Sequence, residues 1–287
     1  MNYRHAFHAG GFADVMKHAI LAHLIGALGR KETPFGVLDT HAGAGRYDLA
    51  APEAARTGEA REGVLRLLAS LAADAPREDE AALLAPYLDG LRAANPGWPE
   101  LRTYPGSAAL AHALLRPRDR LVAVELHPEE ARALRRAFAH ERQVAVHEAD
   151  GYEALRAFLP PAERRGLVLI DPPYEEPDEF RRIARALPEA LRRFRAGIFA
   201  IWYPIKDTGP VERFLAELAA LGRPALAAEL YRFPPDDPAR LNGTGMAILN
   251  PPWKLDETLA ALLPALAGRL GAEGGTRLFE PARADAI

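Results

Sequence analysis

Apolar residues recur in two rhythms along the chain. Short apolar runs bounded by turn residues fall at 35–40 (FGVLDT), 121–126 (LVAVEL), 143–150 (QVAVHEAD), 166–171 (GLVLID), 197–204 (GIFAIWYP) and 246–252 (MAILNPP), and each predicts a strand. Between them, apolar positions return every three or four residues at 129–140 (EEARALRRAFAH), 179–194 (EFRRIARALPEALRRF) and 211–222 (VERFLAELAALG), the spacing of amphipathic helices. Strands alternating with helices predict βαβ units and a mostly parallel sheet, so the expected fold class is α/β with a Rossmann-like architecture. From Asp48 to about Glu100 the strand signal stops and helix-forming text takes over, cut by Pro76, Pro86, Pro96 and Pro99. That interval predicts a small helical subdomain, residues 48–100, inserted at the carboxyl end of the first strand into a main domain made of 1–47 and 101–287. The insertion suits either a grip on a large substrate or a passive elaboration. The tail after Gly271 is expected to be ordered only in part.

Composition narrows the function. The 287 residues carry 36 Lys and Arg against 39 Asp and Glu, a net charge of −3, so no whole-molecule positive field gathers polyanions. Nucleic-acid binding therefore has to come from a local site. The absence of Cys excludes disulfides, thiolate zinc sites, iron–sulfur clusters and thiol nucleophiles. No signal-peptide pattern opens the chain, and no uncharged apolar stretch of about 18 residues occurs in it. The expectation is a soluble cytoplasmic protein, away from membranes.

The chemistry gathers at predicted strand ends. After the first strand come Asp39-Thr40-His41-Ala42-Gly43-Ala44-Gly45-Arg46. Gly43 and Gly45 permit close backbone approach to a ligand. Asp48 stands where the dinucleotide fingerprint needs a third glycine, which removes the main support for NAD or FAD. Glu125 ends LVAVEL and suits the two hydroxyls of a ribose. Asp150-Gly151 ends QVAVHEAD, where a carboxylate can accept from an adenine amino group or cap a helix. Parallel strands would range Gly43, Gly45, Glu125 and Asp150 along one rim, in the order an adenosine-containing cofactor needs.

The most specific text is Asp171-Pro172-Pro173-Tyr174, after the apolar run LVLI. An exocyclic adenine nitrogen is a poor nucleophile because its lone pair is delocalised into the ring. The Asp171 carboxylate and the Pro172 carbonyl can accept its two hydrogens and aim the lone pair at a methyl donor, while the prolines stiffen the turn. Tyr174 can stack on a flipped base. A second tetrapeptide, Asn250-Pro251-Pro252-Trp253, follows the last apolar run; it reads as structural, with Trp253 packed near the sheet edge. Five of the nine histidines, His5, His8, His18, His23 and His41, lie in the first 41 residues. Without a carboxylate-and-histidine constellation they give no metal site, and the segment before the first helix reads instead as a cover over the site.

DPPY resembles the signature of S-adenosylmethionine-dependent methyltransferases acting on exocyclic or amide nitrogens. The series YRHAFHAGGFADVMKH, LDTHAGAGRY, RTGE, YPGS, ELHP, ADG, RRGLVLIDPPYE, WYP and NPPWKL resembles the RlmJ family of 23S ribosomal RNA adenine-N6 methyltransferases, from Tyr3 to about Leu255. The resemblance implies a class I methyltransferase fold with S-adenosylmethionine as cofactor, and 23S ribosomal RNA as partner of a monomeric enzyme that needs no metal. It implies cofactor contacts from His18, His41, Ser107, Glu125, Asp150 and Gly151, beside the Gly43 read from its turn. Catalytic roles fall to Asp171, Pro172 and Tyr174, and RNA contacts to Tyr3, His5 and Lys17, within a covering segment of residues 1–20. The arginine pairs Arg135-Arg136 and Arg164-Arg165 are candidate phosphate contacts or ordinary solvated side chains. A DNA adenine methyltransferase would share DPPY but would be expected to carry a separate target-recognition domain. A protein-amide enzyme would read NPPY, and an idle RNA-binding scaffold would have no need of the intact motif.

Overall fold

The computed structural model describes residues 5–235 and 237–282. A 3-10 turn (His5–Phe7) precedes helix α1 (Phe12–Gly29) and strand β1 (Gly36–Asp39). The short strands β2 (Arg46–Asp48) and β3 (Thr103–Pro105) pair antiparallel and bracket four helices, α2 (Pro52–Thr57), α3 (Glu59–Glu62), α4 (Val64–Ala73) and α5 (Glu78–Ala94). The chain then alternates through α6 (Ser107–Leu114), β4 (Arg120–Glu125), α7 (Pro128–Ala137), β5 (Val144–Glu148), α8 (Gly151–Ala157), β6 (Gly166–Ile170), α9 (Glu179–Arg193), β7 (Ile198–Ile205) and α10 (Thr208–Ala220). It closes with β8 (Ala225–Tyr231), β9 (Gly243–Leu249), α11 (Leu255–Leu270) and β10 (Gly275–Phe279).

Eight strands form one sheet in the order β10-β8-β9-β7-β6-β1-β4-β5. The five from β5 to β7 are parallel, and β9, β8 and β10 extend the sheet by antiparallel pairing. Beginning at β1, the sheet grows through β4 to β5 and then crosses back to β6 on the other side. The carboxyl ends on either side of that crossover diverge and leave a crevice, the usual ligand position in such sheets.

Strand periodicity sorts the core into two layers. Val37, Leu121, Leu167 and Leu169 face the layer of α1, α5, α6 and α11, whereas Leu38, Val168 and Ile170 face α8, α9 and α10. By length and composition α1 is apolar enough to cross a membrane, with mean hydropathy 1.2, yet 72% of that stretch is buried inside the protein. Its place is a core helix that carries Asp14 and Lys17 in its first turns.

Several boundaries differ from the sequence reading. Pro86 lies inside α5 without ending it, because Leu84, Tyr87 and Leu91 are fully buried on the face that packs against α1 and α6. The Ala-rich strand β8 is weakly patterned in sequence and is held by pairing with β9 and β10. The tail after Gly271 contributes β10, so the run ending at Asn250 is not the last strand. Trp253 is 80% exposed and does not pack at the sheet edge. Asn250 is structural as read: its side-chain amide donates to the carbonyls of Gly197 (2.8 Å) and Arg195 (3.3 Å) at the amino end of β7.

Candidate active site

The carboxyl ends of β1, β4, β5 and β6 open on a cleft of about 560 Å³, whose walls include His41, Gly43, Ser107, Glu125, Asp150, Gly151 and Asp171. Its floor depends on tight backbone turns. Gly43 and Gly45 sit at φ of +57° and +76°, a region that disfavours side chains bearing a Cβ. The Gly43 amide donates to one oxygen of Glu125 (2.8 Å), and the His127 amide donates to the other (2.7 Å). Each carboxylate oxygen keeps a lone pair for a further donor, so Glu125 is braced and still able to accept. A Cβ on Gly151 would lie 2.4 Å from the Thr40 carbonyl and 2.9 Å from His41 Nε2, so this wall tolerates only a bare backbone.

Of the two tasks weighed for Asp150 in the sequence, the structure shows the helix cap. One of its oxygens caps α8, accepting from the amides of Tyr152 (2.7 Å) and Glu153 (3.2 Å), and the other lies 3.4 Å from Arg182. Arg182 also pairs with Glu179 and sits over the Tyr152 ring, whose hydroxyl donates to Glu179. The cap therefore leaves Asp150 on the cleft wall as part of a cross-linked corner.

Two groups at the cleft, the buried Asp39 and the part-buried His41, have shifted protonation. Ser107 donates to Asp39 at 2.6 Å; burial, reinforced by the charge of Asp171, still pushes the Asp39 carboxyl up to about 7. Burial lowers the His41 imidazole to about 4, so the ring is neutral near pH 7. Its tautomer follows from the hydrogen bonds. The Thr40 hydroxyl donates to the Leu169 carbonyl (2.9 Å), so the 2.8 Å contact between that hydroxyl and His41 Nδ1 has the imidazole as donor. His41 Nε2 is then a lone-pair acceptor beside Gly151.

Asp171 is shared with a second cleft of about 630 Å³, which runs past Pro173, Tyr174 and Trp202 to His8 and Glu59. Lys17 reaches this junction from α1. Its ammonium pairs with Asp171 (2.5 Å) and Asp14 (2.8 Å) and lies 5.6 Å from the centre of the Trp202 ring. Burial alone would lower the Lys17 pKa, but the two carboxylates outweigh it and raise it, so Lys17 stays a cation. Tyr174 holds a backbone φ of +52°, uncommon for a bulky residue. Its hydroxyl donates to the Trp202 carbonyl (2.7 Å), and its ring stands edge-on to Trp202 and Phe180. Trp202 is fixed by donation from its indole N–H to Thr244 (2.7 Å). Pro172 is buried, while Pro173 lines both clefts.

The structure does not bring every candidate to these walls. His18 is buried one position past Lys17, stacked on Tyr104 and hydrogen-bonded to its hydroxyl at 2.8 Å. Tyr3 lies outside the described residues, and His5 is seen only as the start of the 3-10 turn. Arg135 pairs with Glu148 (2.9 Å), and Arg165 bonds the carbonyls of Leu28 and Thr33 at the amino end of the sheet. No group of three or more metal-ligating side chains occurs among the described residues.

The family profile described as "Ribosomal RNA large subunit methyltransferase D, RlmJ" matches residues 32–280. The chain belongs to the RlmJ family. It is 42% identical over 271 residues to Ribosomal RNA large subunit methyltransferase J of Escherichia coli K12, covering 94% of each chain. The protein of the same name from Haemophilus influenzae is 41% identical over 275 residues, 96% of this chain and 95% of that one. A crystal structure of protein LPL1258 from Legionella pneumophila superposes with a TM-score of 0.85 at 32% identity, covering 96% of this chain and 99% of that one.

In this RlmJ family member the sequence reading missed Asp14, Asp39, Glu179, Arg182 and Trp202. Asp39 had a signal, since it ends a buried strand as Glu125 does. Trp202 sits in an apolar run that reads simply as core, and Arg182 in a helix that reads as a solvated face. Asp14 is four residues from Gly10, whose amide it accepts at 2.9 Å, a local cue that only the turn geometry makes legible.

Proposed function

We propose that this protein methylates the exocyclic N6 of an adenine in 23S ribosomal RNA, in the cytoplasm and as a monomer. The observation that carries this reading is Asp171, fixed by Lys17 on the wall common to the two clefts. S-adenosylmethionine, bound in the first cleft, supplies an electrophilic methyl group on a sulfonium sulfur. The first cleft fits it: its volume is in the range of small-molecule sites, Glu125 offers acceptors to ribose hydroxyls, and Asp150 on its wall offers an acceptor to an adenine amino group. Ser107 and the neutral His41 add polar contacts to the same cofactor, with His18 supporting the helix that carries Lys17.

The target adenine occupies the second cleft, in the aromatic corner of Tyr174 and Trp202. Lys17 takes Oδ2 of Asp171, which leaves Oδ1 to accept one N6 hydrogen while the Pro172 carbonyl accepts the other. These two acceptors direct the nitrogen lone pair toward the first cleft. Prior deprotonation is unnecessary, because the nitrogen becomes acidic only once methylated; Asp171 Oδ1 then receives the proton, which Lys17, held as a cation, cannot take. Tyr3 and His5 extend the RNA contact from the covering segment, and residues 48–100 form an insertion into the main domain of 1–47 and 101–287.

The test is incubation with methyl-labelled S-adenosylmethionine and, separately, protein-free 23S ribosomal RNA, duplex DNA and a protein extract, followed by digestion. The expected product is N6-methyladenosine from ribosomal RNA alone. Label in DNA or protein would overturn the substrate, and no label in any of them would overturn the enzyme reading.

A further inference from the structure

Among the described residues none of 48–100 lines the first cleft, yet residues 57–64 seat the segment that walls the second. The Thr57 hydroxyl donates to the Phe7 carbonyl, and Arg56 lies 5.6 Å from the centre of the Phe7 ring. His8 Nδ1 contacts Glu59 Oε1 at 2.6 Å, and both side chains line the second cleft. The Val64 amide donates to the Gly10 carbonyl at 2.8 Å. This seat needs glycine at 63, where a Cβ would lie 2.1 Å from the Gly10 carbonyl oxygen, and Gly11 packs directly against the Glu59 carboxylate.

The clamped turn is tied onward to the reacting carboxylate. Gly10, at φ +76°, donates to one oxygen of Asp14, whose other oxygen holds Lys17, which in turn holds Asp171. Insertion, turn, Asp14, Lys17 and Asp171 are thus joined by consecutive hydrogen bonds, with the second cleft along one side.

We infer that residues 57–64 are the seat of residues 7–11, and that Glu59 is a positioning residue which, through His8, fixes the outer wall of the cleft for the target nucleotide. The insertion then acts on the RNA substrate through the amino-terminal segment. The inference rests on the second cleft being the adenosine site. Glu59 controls how the RNA is held, leaving the methyl donor and the chemical step alone.

Glu59→Ala, His8→Ala, the double variant and His8→Lys separate this role from a general loss of structure. In Glu59→Ala, amide hydrogen exchange at Gly10 and Gly11 should speed up about tenfold without RNA, and KM for 23S ribosomal RNA should rise about tenfold, within the range of coupling through packed networks. Turnover at saturating RNA and the calorimetric Kd for S-adenosylmethionine should stay within about twofold of wild type. The double variant should be no worse than either single one, since both remove one contact, and His8→Lys, which offers Glu59 an ammonium donor in place of the imidazole, should retain near-normal KM. Unchanged exchange, strictly additive effects of the two alanines, or a parallel rise in the cofactor Kd would each overturn the assignment. If the wild-type protein left 23S ribosomal RNA unmodified, the substrate reading would fall and the role of Glu59 in holding RNA with it; the exchange data would still decide whether the clamp itself exists.

Discussion

The cleft at the ends of β1, β4 and β5 and the cleft beside β7 meet at Asp171 but are assembled in different ways. The first is walled by residues at or just past strand ends, namely His41 and Gly43, Glu125, and Asp150 with Gly151. Its polar groups are braced by nearby backbone amides, as when Gly43 and His127 hold Glu125. The second draws its walls from α1, α3, β7 and the loop after β6, and its key contacts span long stretches of chain, such as Lys17 to Asp171 and His8 to Glu59. A site made of strand ends is preorganised by the sheet, whereas a site made of distant side chains is only as rigid as their mutual contacts. A cofactor of constant shape suits the first, and a base that must leave its RNA stack suits the second.

Substitutions should sort by cleft. The largest effect is expected at the shared wall: Asp171→Ala should lower turnover by about 10²–10⁴, the range for a positioned proton-handling group, with cofactor affinity nearly intact. Single-turnover kinetics with calorimetry checks this, and wild-type turnover would remove Asp171 from the mechanism.

Beneath the first cleft, Asp39 should make stability depend on pH. Its folded carboxyl holds a proton up to about pH 7, and an unfolded one releases it near 4. Between those values the native state binds more protons, so the Asp39 contribution to stability falls as pH rises, by up to about 4 kcal/mol. His41, whose folded value is lowered to about 4, acts in the opposite sense below about pH 6.5, so the comparison must be with Asp39→Asn. Urea titrations at pH 5 and pH 8 should show the Asn variant gaining relative to wild type at the higher pH; parallel shifts would mean that Asp39 titrates normally.

Glu125→Ala tests the first cleft alone. Loss of charge-assisted hydrogen bonds worth about 1.5–3 kcal/mol should weaken S-adenosylmethionine by roughly ten- to hundredfold while leaving KM for RNA unchanged. An unaltered Kd would reject the ribose role. Trp202→Ala tests the second. Removing a stacking surface worth about 1–3 kcal/mol should raise KM for RNA with little change in cofactor Kd, and Trp202→Phe should recover most of the loss. If both variants disturbed both ligands equally, the two clefts would function as one site.

Legibility in the sequence followed this division. Glu125, Asp150 and Asp171 were readable because a parallel strand ends where its apolar run ends, which places the residues at that end on the rim. Lys17 was named only through family resemblance, as an RNA contact; its partner Asp171 is 154 residues away. Glu59 fell within an insertion whose purpose the text left open, since nothing local to RTGE speaks of His8. Pro86 shows the reverse failure, a local stop signal overridden by the burial of its neighbours.

The sequence by itself determined the α/β class, the methyl-transfer motif and the strand-end residues, because hydrophobic periodicity and turn chemistry act over a few residues. Tertiary structure alone decided that Lys17 is a buried cation bridging Asp14 and Asp171, that Asp39 keeps its proton to about pH 7, and that Glu59 and Val64 meet His8 and Gly10. Desolvation and ion pairing depend on which groups folding brings together, and chain order does not specify those neighbours.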